Sequence, residues 1–263
     1  MYTFSSKLKT FSFVLMLVGI LGIGYGFLTA PKDIQEVEQL LKADSHGDHH
    51  AAANTESHDA HAAAGHDAHA DAEHKAHLEH VLHQLQNKPW AAFYVACIFF
   101  MLVSLGVLVF YAIQQVAQAG WSPVLFRVMQ GITSYLPVGS VIFFIFLLLC
   151  GFHMNHLFIW LDPEVVAHDK LIQAKVGYLN FPFWIIRAAI FLLGWSAYQY
   201  FSRKNCLAQD ESNDNSFYKK NFNISAMFLV FFIVTESIMS WDWIMSIDPH
   251  WFSTLFGWYV FAS

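Results

Sequence analysis

Four internal stretches of 19 to 24 residues, at 90–113, 137–160, 181–201 and 222–240, are almost wholly apolar. A fifth, 11–29, runs 19 residues without a charge. Helices of this length cross a hydrocarbon core of about 30 Å at about 1.5 Å per residue. Backbone groups in lipid must be satisfied within the segment, so these runs are expected to fold as transmembrane helices. The chain is 56% hydrophobic and 13% charged, which excludes an ordinary soluble domain. No Lys/Arg run marks a nucleic-acid surface, and a net charge of −6 argues against one. Cys97, Cys150 and Cys206 stand alone, without the spacing of a zinc site, a Cys-ligated cluster or a covalent haem attachment.

The expected fold is an all-α polytopic membrane protein. It comprises an N-terminal anchor (1–30), a His-rich loop with a helix (31–89), a transmembrane four-helix bundle (90–241), and a turn opening the next span (242–263). Run 11–29 is longer than the apolar core of a signal peptide, so it reads as an anchor. Its glycines, Gly19, Gly22, Gly24 and Gly26, suit either a close helix contact or a loosely packed single anchor. The last apolar run begins near His250 and is cut off at Ser263, so a sixth span is begun and truncated and a longer protein is expected.

Proline marks the starts of elements. Ser122-Pro123, Asp162-Pro163 and Asp248-Pro249 each place an N-cap residue type before proline at a first helical position. Short interfacial helices are expected at 123–131 and 163–176, and Asp248-Pro249 is expected to cap the next span. Trp241, Trp243 and Trp251 fit an interfacial aromatic belt.

Segment 31–89 holds eleven of the fifteen histidines. A helix is expected over 67–86, along which His74, His77, His80 and His83 recur every three residues. Such a stripe can take up Zn²⁺ or Cu²⁺ opportunistically, but the low complexity around it favours a solvated loop without a dedicated metal. With the N-terminus in the cytoplasm, inner segments carry seven Lys/Arg in 48 residues and outer segments six in 91. The positive-inside rule then puts the N-terminus in the cytoplasm and the His-rich loop in the periplasm.

Arg187, Glu236 and His153 are the ionisable groups deepest in the apolar runs. Counting from the expected helix ends, all three fall about 8 to 11 Å below one surface. They therefore suggest one polar layer serving proton transfer or quinone binding. The competing reading has Arg187 snorkelling to the interface and Glu236 neutral or paired for structure. Glu236 is expected to be satisfied by Arg187 or by a hydroxyl of Ser237 or Ser240. His153 and His156 are expected on one helix face; bis-histidine haem is disfavoured because no facing span has an interior histidine. Asp242, Asp248 and His250 complete the candidates, and no catalytic residue is assigned.

The stretch Trp241-Asp-Trp-Ile-Met-Ser-Ile-Asp-Pro-His-Trp-Phe-Ser-Thr-Leu-Phe-Gly-Trp-Tyr-Val-Phe resembles the bundle-joining segment of the F subunit of alternative complex III, the bacterial quinol:cytochrome c (or oxidase) oxidoreductase. The anchor, the polar loop and the four following spans are similar as well. That family is related to polysulfide-reductase-type (NrfD-like) subunits, built from two four-helix bundles flanked by outer helices. The resemblance implies the bacterial inner membrane and partnership with an NrfD-like sister subunit, an iron–sulfur protein and multihaem cytochrome c subunits. Haem and iron–sulfur clusters would reside only in those partners, and quinol oxidation mainly in the sister subunit. For this chain it implies a quinone-binding, proton-conducting or scaffolding subunit with no covalently bound cofactor. The site candidates come from depth and spacing alone. A purely structural scaffold and a His-rich metal transporter or sensor are the competing functions.

Overall fold

The computed structural model describes residues 5–44 and 67–262, with the side chains of 40–44, 67–77, 79 and 80 left undescribed. Among the described residues the regular structure is helical, with no strand. Five helical segments among these residues are long and apolar enough to cross a membrane. The chain divides into two units, Met1–Phe93 and Tyr94–Ser263.

In the first unit, helix α1 (Ser6–Leu28) starts where Ser5 Oγ accepts the Leu8 N–H at 3.3 Å, a serine N-cap. No α1 residue is buried, as suits a helix that is apolar on every face. Of the anchor glycines, Gly19, Gly22 and Gly24 have nothing near the place a Cβ would occupy, and only Gly26 meets Pro89, at 3.6 Å. Beside it Phe27 packs edge-on against Trp90 with ring centroids 4.9 Å apart. Helix α2 (Ile34–Asp44) buries Val37. Helix α3 (Asp67–Val116) passes through Pro89, where the sequence reading sets a boundary.

The second unit contains the rest of α3 and the remaining helices. A 3-10 turn (Ser122–Leu125) leads into α4 (Phe126–Thr133), followed by α5 (Tyr135–Gly151). Ser122 does not cap this segment; its hydroxyl donates to Ala119 O at 2.7 Å. The connection at 163–176 forms two short helices, α6 (Pro163–His168) and α7 (Lys170–Lys175), capped by Asp162 and Asp169. Asn180 caps α8 (Phe181–Glu211) by accepting the Phe183 N–H at 3.0 Å. Helix α9 (Ser216–Met239) continues into a π turn (Ser240–Ile244) and a 3-10 turn (Met245–Ile247). Helix α10 (Phe256–Ala262) packs on α9 and the π turn, with Gly257 set where a Cβ would lie 3.3 Å from Ser240 Oγ.

Aromatic rings fill the interior. Trp184, Trp195 and Trp243 are fully buried. Trp243 meets Phe143 edge-on at 4.8 Å and Trp195 at 5.9 Å. Trp243 is therefore a core residue rather than part of an interfacial belt, whereas Trp241 and Trp251 are exposed. At Gly151 a Cβ would sit 1.8 Å from the Phe181 ring, so the glycine lets the start of α8 close against the end of α5.

Two helix ends depart from expectation for one physical reason. Helix α5 stops at Gly151 instead of continuing to 160, because His153 adopts φ +56°. The Met154 N–H then reaches Leu149 O at 3.3 Å and the His153 N–H reaches Cys150 O at 3.1 Å, the two bonds of a Schellman motif. Helix α3 ends the same way: Gln118 has φ +50°, with Ala119 N–H on Gln114 O and Gln118 N–H on Gln115 O. Glycine is the usual residue there, so neither stop announces itself in the sequence. Asp248-Pro249 does not cap a helix either. Asp248 Oδ1 accepts the His250 N–H at 3.1 Å within a turn, and α10 begins at Phe256.

The left-handed backbone at His153 yields a stability test. His153→Gly is expected to raise unfolding stability by about 1 kcal/mol, and His153→Ile to lower it by a similar amount or more. Thermal unfolding in detergent measures both; a destabilised glycine variant would contradict the assigned helix stop.

Candidate functional site

The five-residue π turn organises the polar interior. Its defining bond runs from the Met245 N–H back to Ser240 O. Widening the helix in this way redirects carbonyls, which need other donors when buried. Asp242 O accepts Trp184 Nε1–H at 2.9 Å and the Ser246 hydroxyl at 2.6 Å. Trp243 O accepts the Tyr94 hydroxyl.

The same turn aims Asp242 at Arg187 on α8. Arg187 Nε donates to Asp242 Oδ2 at 2.6 Å and an Nη to Oδ1 at 2.8 Å, a bidentate pair. The aspartate side chain is fully buried and the arginine side chain 8% exposed. The Arg187 Nη groups also donate to Tyr178 O at 3.3 Å, and the guanidinium lies over the Tyr178 and Phe183 rings at 4.1 and 4.2 Å. Burial, reinforced by the Asp242 charge, pushes the Tyr178 phenol well above its ordinary value and keeps it protonated. Fork geometry and full satisfaction are what let a buried ion pair persist.

Arg187 is thus taken by Asp242, and the expected Arg187–Glu236 pairing is not formed. The hydroxyls expected to serve Glu236 are engaged elsewhere, Ser237 with Ile233 O at 3.1 Å and Ser240 with Ser237 O at 2.8 Å. Glu236 is 4% exposed, and its Oε1 has no hydrogen-bond partner among the described residues. It lines a cavity of about 670 Å³ whose other walls are apolar except for Tyr259 of α10, and include Phe99, Leu102 and Val103 of α3, Phe232 of α9, and Phe256 of α10. A donorless buried carboxyl in such a cavity calls for a ligand or water that brings a proton donor.

The remaining candidates separate from this pair of features. His153 and His156 lie in the non-helical segment after α5 and are exposed, so they share no helix face. The buried polar residue there is Asn155, whose side chain donates to Cys150 Sγ at 3.4 Å and accepts the Leu157 N–H at 3.2 Å. No hydrogen bond or ion pair links His153 to Arg187 or Glu236 among the described residues, so the expected three-residue layer is divided. His250 pairs with Asp169, the cap of α7, with Asp248 3.7 Å from its other nitrogen. The side chains of His74, His77 and His80 lie outside the described residues; His83 is exposed, on the first unit.

Sequence reasoning missed a second polar cluster. Gln115, Gln130, Ser202 and Asn221 converge on the Tyr111 hydroxyl at 3.0, 3.4, 3.2 and 3.1 Å. A cavity of about 210 Å³ borders it, near an Arg127–Asp210 ion pair. The available signal was the recurrence of amides and hydroxyls at matching ends of three spans. No protein-family model matches the chain, and no curated protein matches it in sequence. Its function is therefore argued from this geometry.

Two tests follow from these contacts. Asp242→Asn is expected to cost about 3–5 kcal/mol by stranding the buried Arg187, whereas Arg187→Met with Asp242→Leu is expected to be near neutral. Denaturant unfolding of both variants checks this. The second test concerns Asp169. Although desolvation opposes it, hydrogen bonds from His250 and from the Ile172 and Leu171 N–H groups hold its carboxyl below the usual value. A lowered carboxylate stabilises the fold above its ordinary value, about 4, and loses that contribution as pH falls through the lowered one. Pepsin cleavage within 248–255 is therefore expected to accelerate in that acid range. Asp169→Asn, which keeps the α7 cap, should remove the acid-dependent step.

Proposed function

We propose that this chain is an integral membrane subunit of a respiratory quinol:cytochrome c (or oxidase) oxidoreductase, and that it binds quinol in the Glu236 cavity. The observation that carries the reading is Glu236 itself, a buried carboxyl without a donor at the wall of an apolar cavity of about 670 Å³. A hydroquinone has the complementary chemistry: an apolar tail for the cavity and a hydroxyl to donate to the carboxylate. Oxidation of a hydroquinone releases two protons and two electrons. In this reading Glu236 accepts one hydroxyl proton and the second is released to water, while the two electrons would be taken up by an iron–sulfur partner subunit that supplies the redox chemistry.

The resemblance of segment 241–261 to the F subunit of alternative complex III supports the same assignment. Under it, α1 is the anchor, and α3, α5, α8 and α9 form a four-helix bundle beside an NrfD-like sister subunit, with α10 beginning the next span. The distribution of Lys and Arg supports a bacterial inner-membrane orientation with a cytoplasmic N-terminus and a periplasmic His-rich loop. A scaffold role is the second reading, favoured by the Arg187–Asp242 pair, whose hydrogen-bonding capacity is consumed within the protein.

Glu236→Gln in the assembled complex separates them. Quinol:cytochrome c turnover is expected to fall by roughly 10²-fold or more, as for loss of a positioned base, with the complex still assembled. Unchanged turnover together with unchanged quinone-analogue binding would leave the scaffold reading in place.

A further inference from the structure

A second membrane-depth cavity, of about 510 Å³, lies between α8 and α9. Its walls include Gly194, Ala197, Met227 and Phe231, and the stacked rings of Tyr198 and Phe228, whose centroids are 3.9 Å apart. From Gly194 to Asn205 it follows α8 for eleven residues, about 16 Å of helix. This is the shape and surface that one acyl chain fills.

Polarity is confined to the end formed by Asn205 and Lys220. Lys220 is exposed and has no ion-pair partner among the described residues. Its neighbours Lys219, Arg203 and Lys204 are exposed too, on the same end of the helix pair. Of the nearby acids, Asp210 is held by Arg127, and Asp214 is engaged by the Ser212 and Ser216 hydroxyls. Glu211 is exposed, so the local balance stays basic. Asn205 supplies an independent observation. It is 7% exposed, yet its carboxamide makes no hydrogen bond among the described residues. Its polar atoms are not sealed from the surface, so a ligand oxygen or water in the cavity can reach them. Asn205 also borders the polar cavity beside Tyr111. Water on that side and a ligand oxygen in the groove are the partners open to its two polar atoms.

We propose that the α8–α9 groove is a specific site for an anionic phospholipid, with one acyl chain between the helices and the headgroup phosphate at Lys220 and Asn205. The apolar length selects a lipid over a soluble phosphate. The uncompensated lysine selects an anionic headgroup over a zwitterionic one, whose own cation neutralises the phosphate locally.

The test uses the purified full chain in detergent, equilibrated with mixed micelles of phosphatidylglycerol and phosphatidylcholine and read by native mass spectrometry. One retained phosphatidylglycerol per chain is expected, in preference to phosphatidylcholine and undisturbed by soluble glycerol phosphate. Lys220→Glu should weaken retention on the order of tenfold. Asn205→Leu should weaken it as well. Met227→Trp, a substitution at an exposed wall residue that leaves the core intact, should block the groove. Lys219→Glu, which changes the same net charge outside the groove, should retain the lipid. Equal retention of both lipids, displacement by glycerol phosphate, or an equal loss in Lys219→Glu and Lys220→Glu would each overturn the site. None of these outcomes depends on quinol turnover.

Discussion

The buried pair between Arg187 and Asp242 fixes the polar geometry of the second unit. Two charges at this depth are costly unless each finds a close, well-aligned partner, and the guanidinium fork on a carboxylate is the tightest such arrangement. Reaching it requires the chain after α9 to widen into a π turn, so that Asp242 faces α8 and its carbonyl meets Trp184. The ion pair, the π turn and the buried indoles of Trp184 and Trp243 are therefore parts of one solution. Removing Asp242 or Arg187 would strand the other, whereas Trp243 contributes by packing, its indole N–H making no hydrogen bond among the described residues.

The same interaction determines what Glu236 is free to do. Arg187 is the strong donor at comparable depth, and Asp242 occupies it in both directions of its fork. The nearby serine hydroxyls fold back on their own helix, as membrane-embedded serines commonly do. Glu236 is consequently enclosed without being satisfied. Buried polar groups are nearly always paired, so an exception beside an apolar cavity is the more informative of the two acidic groups. The fully satisfied pair accounts for architecture, whereas the Glu236 carboxyl is left without a partner among the described residues.

Run length and the absence of charge made the helical class and the five membrane-length helices legible in the sequence. A rise of about 1.5 Å per residue suggested a common depth for Arg187 and Glu236, but depth carries no azimuth. Which acid met the arginine depended on a π turn, and a bulge of this kind changes which side chains face inward without leaving a compositional mark. The depth assigned to His153 failed for a different reason. The apolar run continues to Trp160, but the helix does not, because a histidine takes the left-handed position where a glycine would have signalled the stop. Asp248-Pro249 misled in the opposite sense: the aspartate caps a tight turn locally, and α10 starts only at Phe256. The cavities were invisible to sequence because they arise where helices diverge, and no single stretch encodes that.

Asn205 and Glu236 show how satisfaction separates residues of similar burial. Tyr198 and Trp195 are as deep as either, but their polar atoms are closed by Ser225 at 2.7 Å and Thr235 at 3.0 Å. Those contacts tie α8 to α9 and leave no capacity for a ligand. Asn205 and Glu236 lie on the same two helices and remain open, each at the edge of an apolar cavity. Their charge states set the chemistry they invite. A neutral carboxamide beside a lysine suits a phosphate or ester oxygen, whereas a carboxyl in an apolar wall suits a hydroxyl that can give up its proton. Two helices joined by interior hydrogen bonds thus carry both open groups, and the proposed quinol and lipid sites rest on the closed contacts that hold the helices together.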